Sequence, residues 1–140
     1  MKITKFDNNS DKVQFYAYMG KYFAETKYKK DLKYIVNRST NIWFVMIKSG
    51  YVIGFGAVNV LKNKVVLEHS YVEEEYRGKG IWKVINNSRL NFAHSFQLPI
   101  EVITKEEHLQ KYWMEIGFTP YRKNGRYTYL RKEVDKNEKN

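Results

Sequence analysis

Three apolar stretches joined by two short turns constrain the fold of this chain most. They lie in IWFVMIKSGYVIGFGAVNVLKNKVVLEHSYV, from Ile42 to Val72, and are rich in β-branched and aromatic residues. Turns are predicted at Lys48-Ser49-Gly50 and Lys62-Asn63-Lys64. Because turns this short join antiparallel neighbours, we expect a three-stranded meander.

The segment before the meander predicts two helices. Asn9 and Ser10 belong to the residue types that cap helix N-termini. A second, short helix is predicted from about Lys30 to Val36. The residues predicted to form one face of the first helix are Val13, Tyr16, Met19, Gly20 and Phe23.

A helix and a strand after the meander predict a parallel crossover. The helix is expected from Gly78 to about Phe96, and Ile100–Thr104 reads as a short buried strand. A strand, a helix and a second strand in this order form a right-handed crossover. The predicted buried stripe of the helix is Ile81, Val84, Ile85, Ser88, Phe92 and Phe96.

The C-terminal part predicts one more helix and a hairpin. Thr104 and Glu107 have the spacing of a capping box, and Gly117 is placed to end the helix. Asn124-Gly125 predicts a type I′ turn between two strands. The expected buried face of this helix is Leu109, Tyr112, Trp113 and Ile116.

Length and composition fit a single domain over residues 1–133, with a disordered polar tail at 134–140. With no cysteine in the chain, disulfides, thiolate metal sites and a cysteine nucleophile are excluded. The three histidines have no metal-ligand spacing. No apolar run reaches the roughly 18 residues that span a bilayer, so a cytoplasmic protein without membrane contact is expected. A net charge of +10 favours an anionic partner.

The stretch EEEYRGKGIW predicts a phosphate-binding turn. A strand leads into Gly78 and Gly80, which open a helix. Glycine allows close approach of a ligand to the backbone, and the first helical turn offers unpaired N–H groups. Arg77 and Lys79 add positive charge. This arrangement is typical of a diphosphate site, although the same turn also serves as a plain connection.

The chain resembles the GNAT superfamily of N-acyltransferases. The family signature R/Q-x-x-G-x-G/A corresponds to Arg77, Gly80 and Trp82, and its late F-Y-E-x-x-G-F element to YWMEIGF at 112–118. GYVIGFGAV, at 50–58, is similar to the family's third strand. The resemblance implies a mixed α/β fold of the α+β type. Its central sheet is mostly antiparallel, with a parallel crossover between the fourth and fifth strands and about four flanking helices.

The resemblance also implies binding of acetyl-CoA or another acyl-CoA. Backbone amides of Arg77, Gly78, Lys79, Gly80, Ile81 and Trp82 would hold the diphosphate, and the strand around Tyr71 and Val72 would hold the pantetheine. An amine would attack the thioester directly.

Three departures from the family pattern bear on this chemistry. Trp82 replaces a glycine or alanine. Its indole either rotates aside to cover the adenine, partly blocks the site, or packs outward with a free N–H. Trp113 replaces the tyrosine that protonates the leaving thiolate, so it is expected to contact the cofactor, but an indole cannot donate that proton. Tyr112 lies about 100° around the helix and cannot simply substitute. Glu106 stands where the family often has a cofactor-contacting asparagine.

Glu68 and His69 are the candidate bases. The family often has Glu or His at the spacing of Glu68, whereas the ordinary pKa of histidine, about 6.5, suits His69. Because side chains alternate along a strand, only one of them is expected to face the acceptor. His94 and His108 read as surface residues, and Glu73, Glu74 and Glu75 as a solvated run.

Three hypotheses for function follow. The first is acetyl transfer from acetyl-CoA to a primary amine of a small molecule or peptide. The second is a catalytically weak or inactive GNAT-fold protein that binds CoA or a partner. The third, less favoured, is nucleic-acid binding, because 16% of the residues are aromatic in a basic chain. The sequence leaves open whether the chain is a monomer or a homodimer.

Overall fold

The computed structural model describes residues 2–134 of the chain. Of the predicted disordered tail, only Val134 falls within this range. The strands are β1 (Lys2–Phe6), β2 (Asn41–Lys48), β3 (Tyr51–Val60), β4 (Val65–Val72), β5 (Ile100–Thr104), β6 (Thr119–Asn124) and β7 (Tyr127–Lys132). The helices are α1 (Lys12–Ala24), α2 (Thr26–Lys29), α3 (Ile81–His94) and α4 (Glu107–Glu115), with a 3₁₀ turn at Glu74–Tyr76.

The strands form one sheet in the order β1-β2-β3-β4-β5-β7-β6. All neighbours are antiparallel except β4 and β5, which are parallel. The predicted meander, crossover and C-terminal hairpin are therefore confirmed, as is the mixed α+β fold class. The parallel ladder pairs Val65 with Ile100 and stops where Leu67 pairs with Val102. Beyond Leu67 the two strands leave an opening in the sheet.

Helices pack on both faces of the sheet. On one face, α3 and α4 contribute Ile81, Ile85 and Trp113 to a core shared with β2 to β5 and β7. On the other face, α1 and α2 contribute Met19 and Tyr28 to a second core. Each face thus buries one side of the strands, which explains the long apolar runs in the meander.

The predicted start of α1 is wrong, and of its predicted buried face only Met19 is fully buried. Its N-cap is Asp11, whose carboxylate accepts from the backbone N–H of Val13 and Gln14. Val13 is 81% exposed. Aromatic residues cover a wide arc of this helix, so their spacing alone does not show which of them are buried. The residues actually buried are Phe15, Met19 and Tyr22.

Two further N-terminal features differ from the prediction. The short helix is Thr26–Lys29, and residues 30–36 contain none. Leu32 is buried there. Its apolar side chain packs into the core from an irregular segment. The edge strand Lys2–Phe6 was not predicted, because five residues with two lysines give little signal.

The C-terminal elements are confirmed with local corrections. The N-cap of α4 is Glu106 rather than Thr104; the Thr104 hydroxyl accepts from the backbone N–H of Glu106 at 3.2 Å, so the predicted capping box is absent. Gly117 follows α4 with φ of 103°, as predicted. The hairpin turn consists of Gly125 and Arg126, one residue later than expected. Of these two, only Gly125 has positive φ, so the turn is not type I′.

Candidate active site

A cleft of about 770 Å³ lies where β4 and β5 separate. Its walls come from the end of β4, the loop after it, the first turn of α3, and α4 with the residues just before it. Seven of the nine residues predicted to bind the cofactor line this cleft: Tyr71, Val72, Arg77, Gly78, Gly80, Ile81 and Trp82. The other two, Lys79 and Trp113, do not line it. Lys79 lies over the Tyr76 ring, and Trp113 is buried in the core.

The first turn of α3 presents unpaired donors to the cleft. Gly80 is the N-cap, with φ of 80°, and no side chain caps the helix. Gly78 also has positive φ, at 76°. Both conformations favour glycine, and no side chain obstructs the N–H groups of the first turn. The positive end of the helix dipole and Lys83 on the cleft wall suit an anionic group here.

Arg77 holds the loop to the end of β4. Its Nε donates to the carbonyl of Val72 at 2.8 Å, and its guanidinium lies 5.2 Å from the centre of the Tyr71 ring. The Val72 carbonyl is therefore already used within the protein. Tyr71 pairs with Phe55 and directs its carbonyl toward β3, so neither of these two carbonyls is free for a ligand in the opening.

Trp82 forms part of the cleft wall. Its indole N–H donates to Ser70 Oγ at 3.2 Å, and its ring packs edge-on against Tyr112 and Trp113. The interpretation that Trp82 packs outward with a free N–H is wrong. The cleft keeps its 770 Å³ with the indole in place, a volume within the usual range of ligand pockets.

Tyr112, rather than Trp113, lines the cleft. Its hydroxyl oxygen accepts from Asn86 Nδ2 at 2.9 Å, and Asn86 Oδ1 accepts from Arg89 Nη2 at 2.8 Å. The sequence favoured Tyr112 as a core residue rather than an acid, because it lies in the predicted buried stripe of the helix and one residue before the position of the family's proton donor. The structure places Tyr112 on the cleft wall, with its ring packed against the core.

Glu68 and His69 lie beside a β-bulge. Phe55 pairs with Tyr71 and Ala57 with Glu68, so one residue of β3 faces two of β4. His69 has φ of 53°. The bulge breaks the alternation of side chains, and Glu68 Oε1 lies 3.6 Å from His69 Nε2. The prediction that they point to opposite faces is wrong.

Neither candidate base lines the cleft. His69 stacks on Trp43, in the core beneath α1, so the pair belongs to the face that carries α1 and α2. Glu68 accepts from Asn41 Nδ2 at 2.8 Å and Arg38 Nη1 at 3.1 Å. Burial lowers the pKa of His69, which keeps its imidazole neutral at physiological pH. Its Nε2 is buried without a hydrogen-bond partner among the described residues.

Arg89 is the buried charge behind the bulge. It is 2% exposed, and its Nη1 donates to the carbonyls of Ala57 and Glu68 at 3.2 Å. No carboxylate forms an ion pair with it in the part of the chain that the structure describes. Burial lowers its pKa to about 10, so it stays charged at neutral pH. Sequence reasoning missed it; the only signal was its position four residues after Ile85, on the buried face.

Comparison with known proteins gives the family. A family model described as "Acetyltransferase (GNAT) family" matches residues 8–118. This chain belongs to the GNAT acetyltransferase family. The resemblance inferred from Arg77, Gly80 and the 112–118 element is thereby confirmed, and the fold is one that transfers acyl groups from acyl-CoA. A search of the curated proteins by sequence finds no match.

Solved structures similar to this GNAT chain share its fold. Escherichia coli ElaA matches with a TM-score of 0.74 and 17% identity, covering 94% of this chain and 99% of ElaA. An acyl-CoA N-acyltransferase from Pseudomonas aeruginosa matches at 0.75 and 14%, covering 94% and 98%. PaiA N-acetyltransferase from Thermoplasma acidophilum, solved in complex with coenzyme A, matches at 0.62 and 13%, covering 95% and 99%.

Glu73 of the GNAT chain is not part of a solvated run. The hydroxyls of Tyr22 and Tyr28 each donate to its Oε2 at 2.9 Å, and Lys21 Nζ lies 3.6 Å away. Burial, reinforced by these hydrogen bonds, raises the pKa of both tyrosines. Glu73 thus anchors α1 and α2 to the end of β4, beside the cleft.

Within residues 2–134, no helix has the length and apolar character needed to cross a membrane.

Proposed function

We propose that this GNAT protein transfers an acetyl group from acetyl-CoA to a primary amine by direct attack. The observation that carries the proposal is the uncapped first turn of α3, with Gly78 and Gly80 at positive φ, opening on a cleft between separated strands. Such a turn binds a diphosphate through backbone N–H groups. The net charge of +10 adds a general attraction for an anionic cosubstrate.

Binding would use both ends of the cleft. The N–H groups from Arg77 to Trp82 would hold the diphosphate, with Lys83 as a neighbouring charge. The strand around Tyr71 and Val72 would hold the pantetheine arm in the opening between β4 and β5, through the N–H of Val72, which alternates with the β3-facing groups of Tyr71 and Glu73. The carboxylates of Glu106 and Asp31 also line the cleft, but neither residue belongs to the glycine turn that would hold the diphosphate. The amine would enter between the N-terminal helices and the final hairpin, where Tyr16, Tyr34, Tyr121 and Tyr127 are exposed.

Two groups of this chain would move protons. The pair Glu68 and His69 would take the proton from the attacking amine, directly or through water, because a neutral imidazole and a carboxylate are both proton acceptors. Tyr112 would give its hydroxyl proton to the leaving sulfur, because this residue lines the cleft. A thiolate is a good leaving group, so this acid accelerates the step without being indispensable.

Isothermal titration tests the binding step. Acetyl-CoA is titrated at moderate salt into the unmodified protein, Gly80→Glu and Gly125→Glu, with ATP as a control for general anion attraction. Gly125 also has positive φ but lies in the β6–β7 turn. Both substitutions therefore carry a similar backbone cost and the same charge change. We expect binding to be lost only in Gly80→Glu.

A thiol-release assay with a panel of primary amines tests turnover. Acetyl-CoA binding no tighter than that of ATP, or equal loss in both glycine variants, would refute the diphosphate site. Binding without thiol release would favour the second candidate, a CoA-binding protein without catalysis. One observation supports that candidate, because Arg38 and Asn41 already engage the carboxylate of Glu68.

A further inference from the structure

A chain of two hydrogen bonds links Arg89 to Asn86 and Asn86 to Tyr112. Arg89 fixes which group donates in each of them. A guanidinium has only donors, so Arg89 Nη2 can bond only to the oxygen of the Asn86 amide. The amide nitrogen of Asn86 is thereby turned toward Tyr112 and donates to its hydroxyl oxygen at 2.9 Å. That contact leaves the phenolic proton of Tyr112 for a different acceptor.

An acceptor for that proton would come from a group bound in the cleft, which Tyr112 lines. Tyr112 is on the cleft wall, whereas Asn86 is completely buried beneath it. If the Asn86 amide were reversed, its oxygen would accept the phenolic proton and its nitrogen would face the donors of Arg89. The charge of Arg89 excludes that arrangement, because two donors cannot bond to each other.

We propose that Asn86 and Arg89 are positioning residues that hold the hydroxyl proton of Tyr112 toward the cleft as the acid of the reaction. The inference rests on the proposed acyl transfer. As the amine nitrogen bonds to the carbonyl carbon, the carbon–sulfur bond breaks and its electron pair stays on sulfur. The sulfur takes the Tyr112 proton. The phenolate formed keeps the hydrogen bond from Asn86, backed by the Arg89 charge, until water returns a proton.

Different nitrogen atoms of Arg89 serve the positioning of Tyr112 and the support of the bulge. The bulge between β3 and β4 is held by Nη1, which donates to the Ala57 and Glu68 carbonyls. The contact with Asn86 uses Nη2 alone. A change at Asn86 can therefore reverse the Tyr112 hydroxyl while the contacts at the bulge remain.

Asn86→Asp is the deciding variant. The new carboxylate is nearly isosteric, gives Arg89 a counter-ion, and accepts the Tyr112 proton, turning it away from the cleft. Asn87→Asp is the matched control, because it makes the same change one residue later at an exposed position of the same helix. Thermal midpoint, acetyl-CoA affinity, kcat and KM are measured for both, together with Tyr112→Phe and the double variant of Asn86→Asp with Tyr112→Phe.

We expect Asn86→Asp to keep or raise the thermal midpoint and to leave acetyl-CoA affinity unchanged. Its kcat should fall by about 10²-fold, as for loss of an acid, to the level of Tyr112→Phe. The double variant should lose no more than either single one, and Asn87→Asp should behave as the unmodified protein. Unchanged kcat in Asn86→Asp or in Tyr112→Phe would overturn the inference. If Asn86→Asp fails to fold, the kcat of Tyr112→Phe still tests whether Tyr112 acts as the acid.

Absence of thiol release by the unmodified protein, with every amine tested, would overturn the proposed function and the acid role with it. Release by the unmodified protein and equal release by Asn86→Asp would leave the function standing and overturn only the positioning role.

Discussion

Glu68 Oε1 and His69 Nε2 lie 3.6 Å apart although the two residues are consecutive in β4. A regular strand would point them to opposite faces. The extra residue of the bulge, opposite Gly56, brings them to the same side. A carboxylate thus lies beside a buried imidazole next to the opening in the sheet, and the two groups are expected to act as one unit.

Glu68→Gln and His69→Asn are each expected to lower kcat by about 10²-fold, because each removes one member of the proton-accepting pair. The double variant should lose little more than either single variant, as for residues that act together. Thiol release at saturating acetyl-CoA measures this, with the exposed Glu75→Gln as control. Additive losses would show two independent groups, and unchanged rates would place the base elsewhere.

Stability is expected to fall in mild acid because of His69. Burial lowers its pKa in the folded protein below the ordinary 6.5. The unfolded chain therefore binds the proton first as the pH falls. The contribution of His69 is complete above about pH 6.5 and is lost as the pH approaches the lower, folded-state pKa. Urea unfolding between pH 7.5 and pH 5 should show this decline, less steeply in His69→Gln. The exposed His108→Gln should keep the full decline.

Trp82 is expected to limit the length of the acyl chain. Its indole fills the space between Ser70 and Tyr112 at the cleft wall. Trp82→Ala should raise kcat/KM for octanoyl-CoA relative to acetyl-CoA by about tenfold or more, because space for several methylenes is opened. Trp82→Phe keeps most of the ring and should retain the acetyl preference. An unchanged ratio in Trp82→Ala would place the acyl group away from the indole.

Gly56→Ala and Gly20→Ala are expected to change stability in opposite directions. A Cβ on Gly56 would lie 2.8 Å from Arg89 Cδ, so we expect a loss of about 1–3 kcal/mol. A Cβ on Gly20, within α1, meets nothing closer than 3.9 Å, and alanine there should add about 0.5–1 kcal/mol. Urea unfolding of both variants checks this. A neutral Gly56→Ala would mean that Arg89 has room to move.

The parts of the fold that sequence predicts well are those fixed by local chemistry. Short turns at 48–50 and 62–64 dictate antiparallel strands, and Gly78 and Gly80 mark the turn that opens α3. The α1 face failed for the opposite reason, because Phe15, Tyr16 and Tyr22 are chemically similar and only packing against the sheet separates them. Residues 30–36 carry apolar side chains that pack without regular structure.

The parts of the site that sequence misses depend on distant contacts. Nothing in the sequence distinguishes Arg89 from a solvated helix residue. Its burial depends on the carbonyls of Ala57 and Glu68, which accept from it in the folded protein. Glu73 reads as one of three acidic residues until Tyr22 and Tyr28 approach from 51 and 45 positions away in the chain. Tyr112 and Trp113 differ by one helical step, and only the packing of α4 decides which of them reaches the cleft.

The close fit of Arg89 over Gly56 restricts the order in which substitutions can accumulate in this lineage. A larger residue at position 56 is disfavoured while arginine occupies position 89, since its Cβ would lie 2.8 Å from Arg89 Cδ. A smaller residue at position 89 removes this contact but leaves the two bulge carbonyls without their donor. Each single step is therefore disfavoured, and the two positions are expected to vary together among homologues, as an epistatic pair.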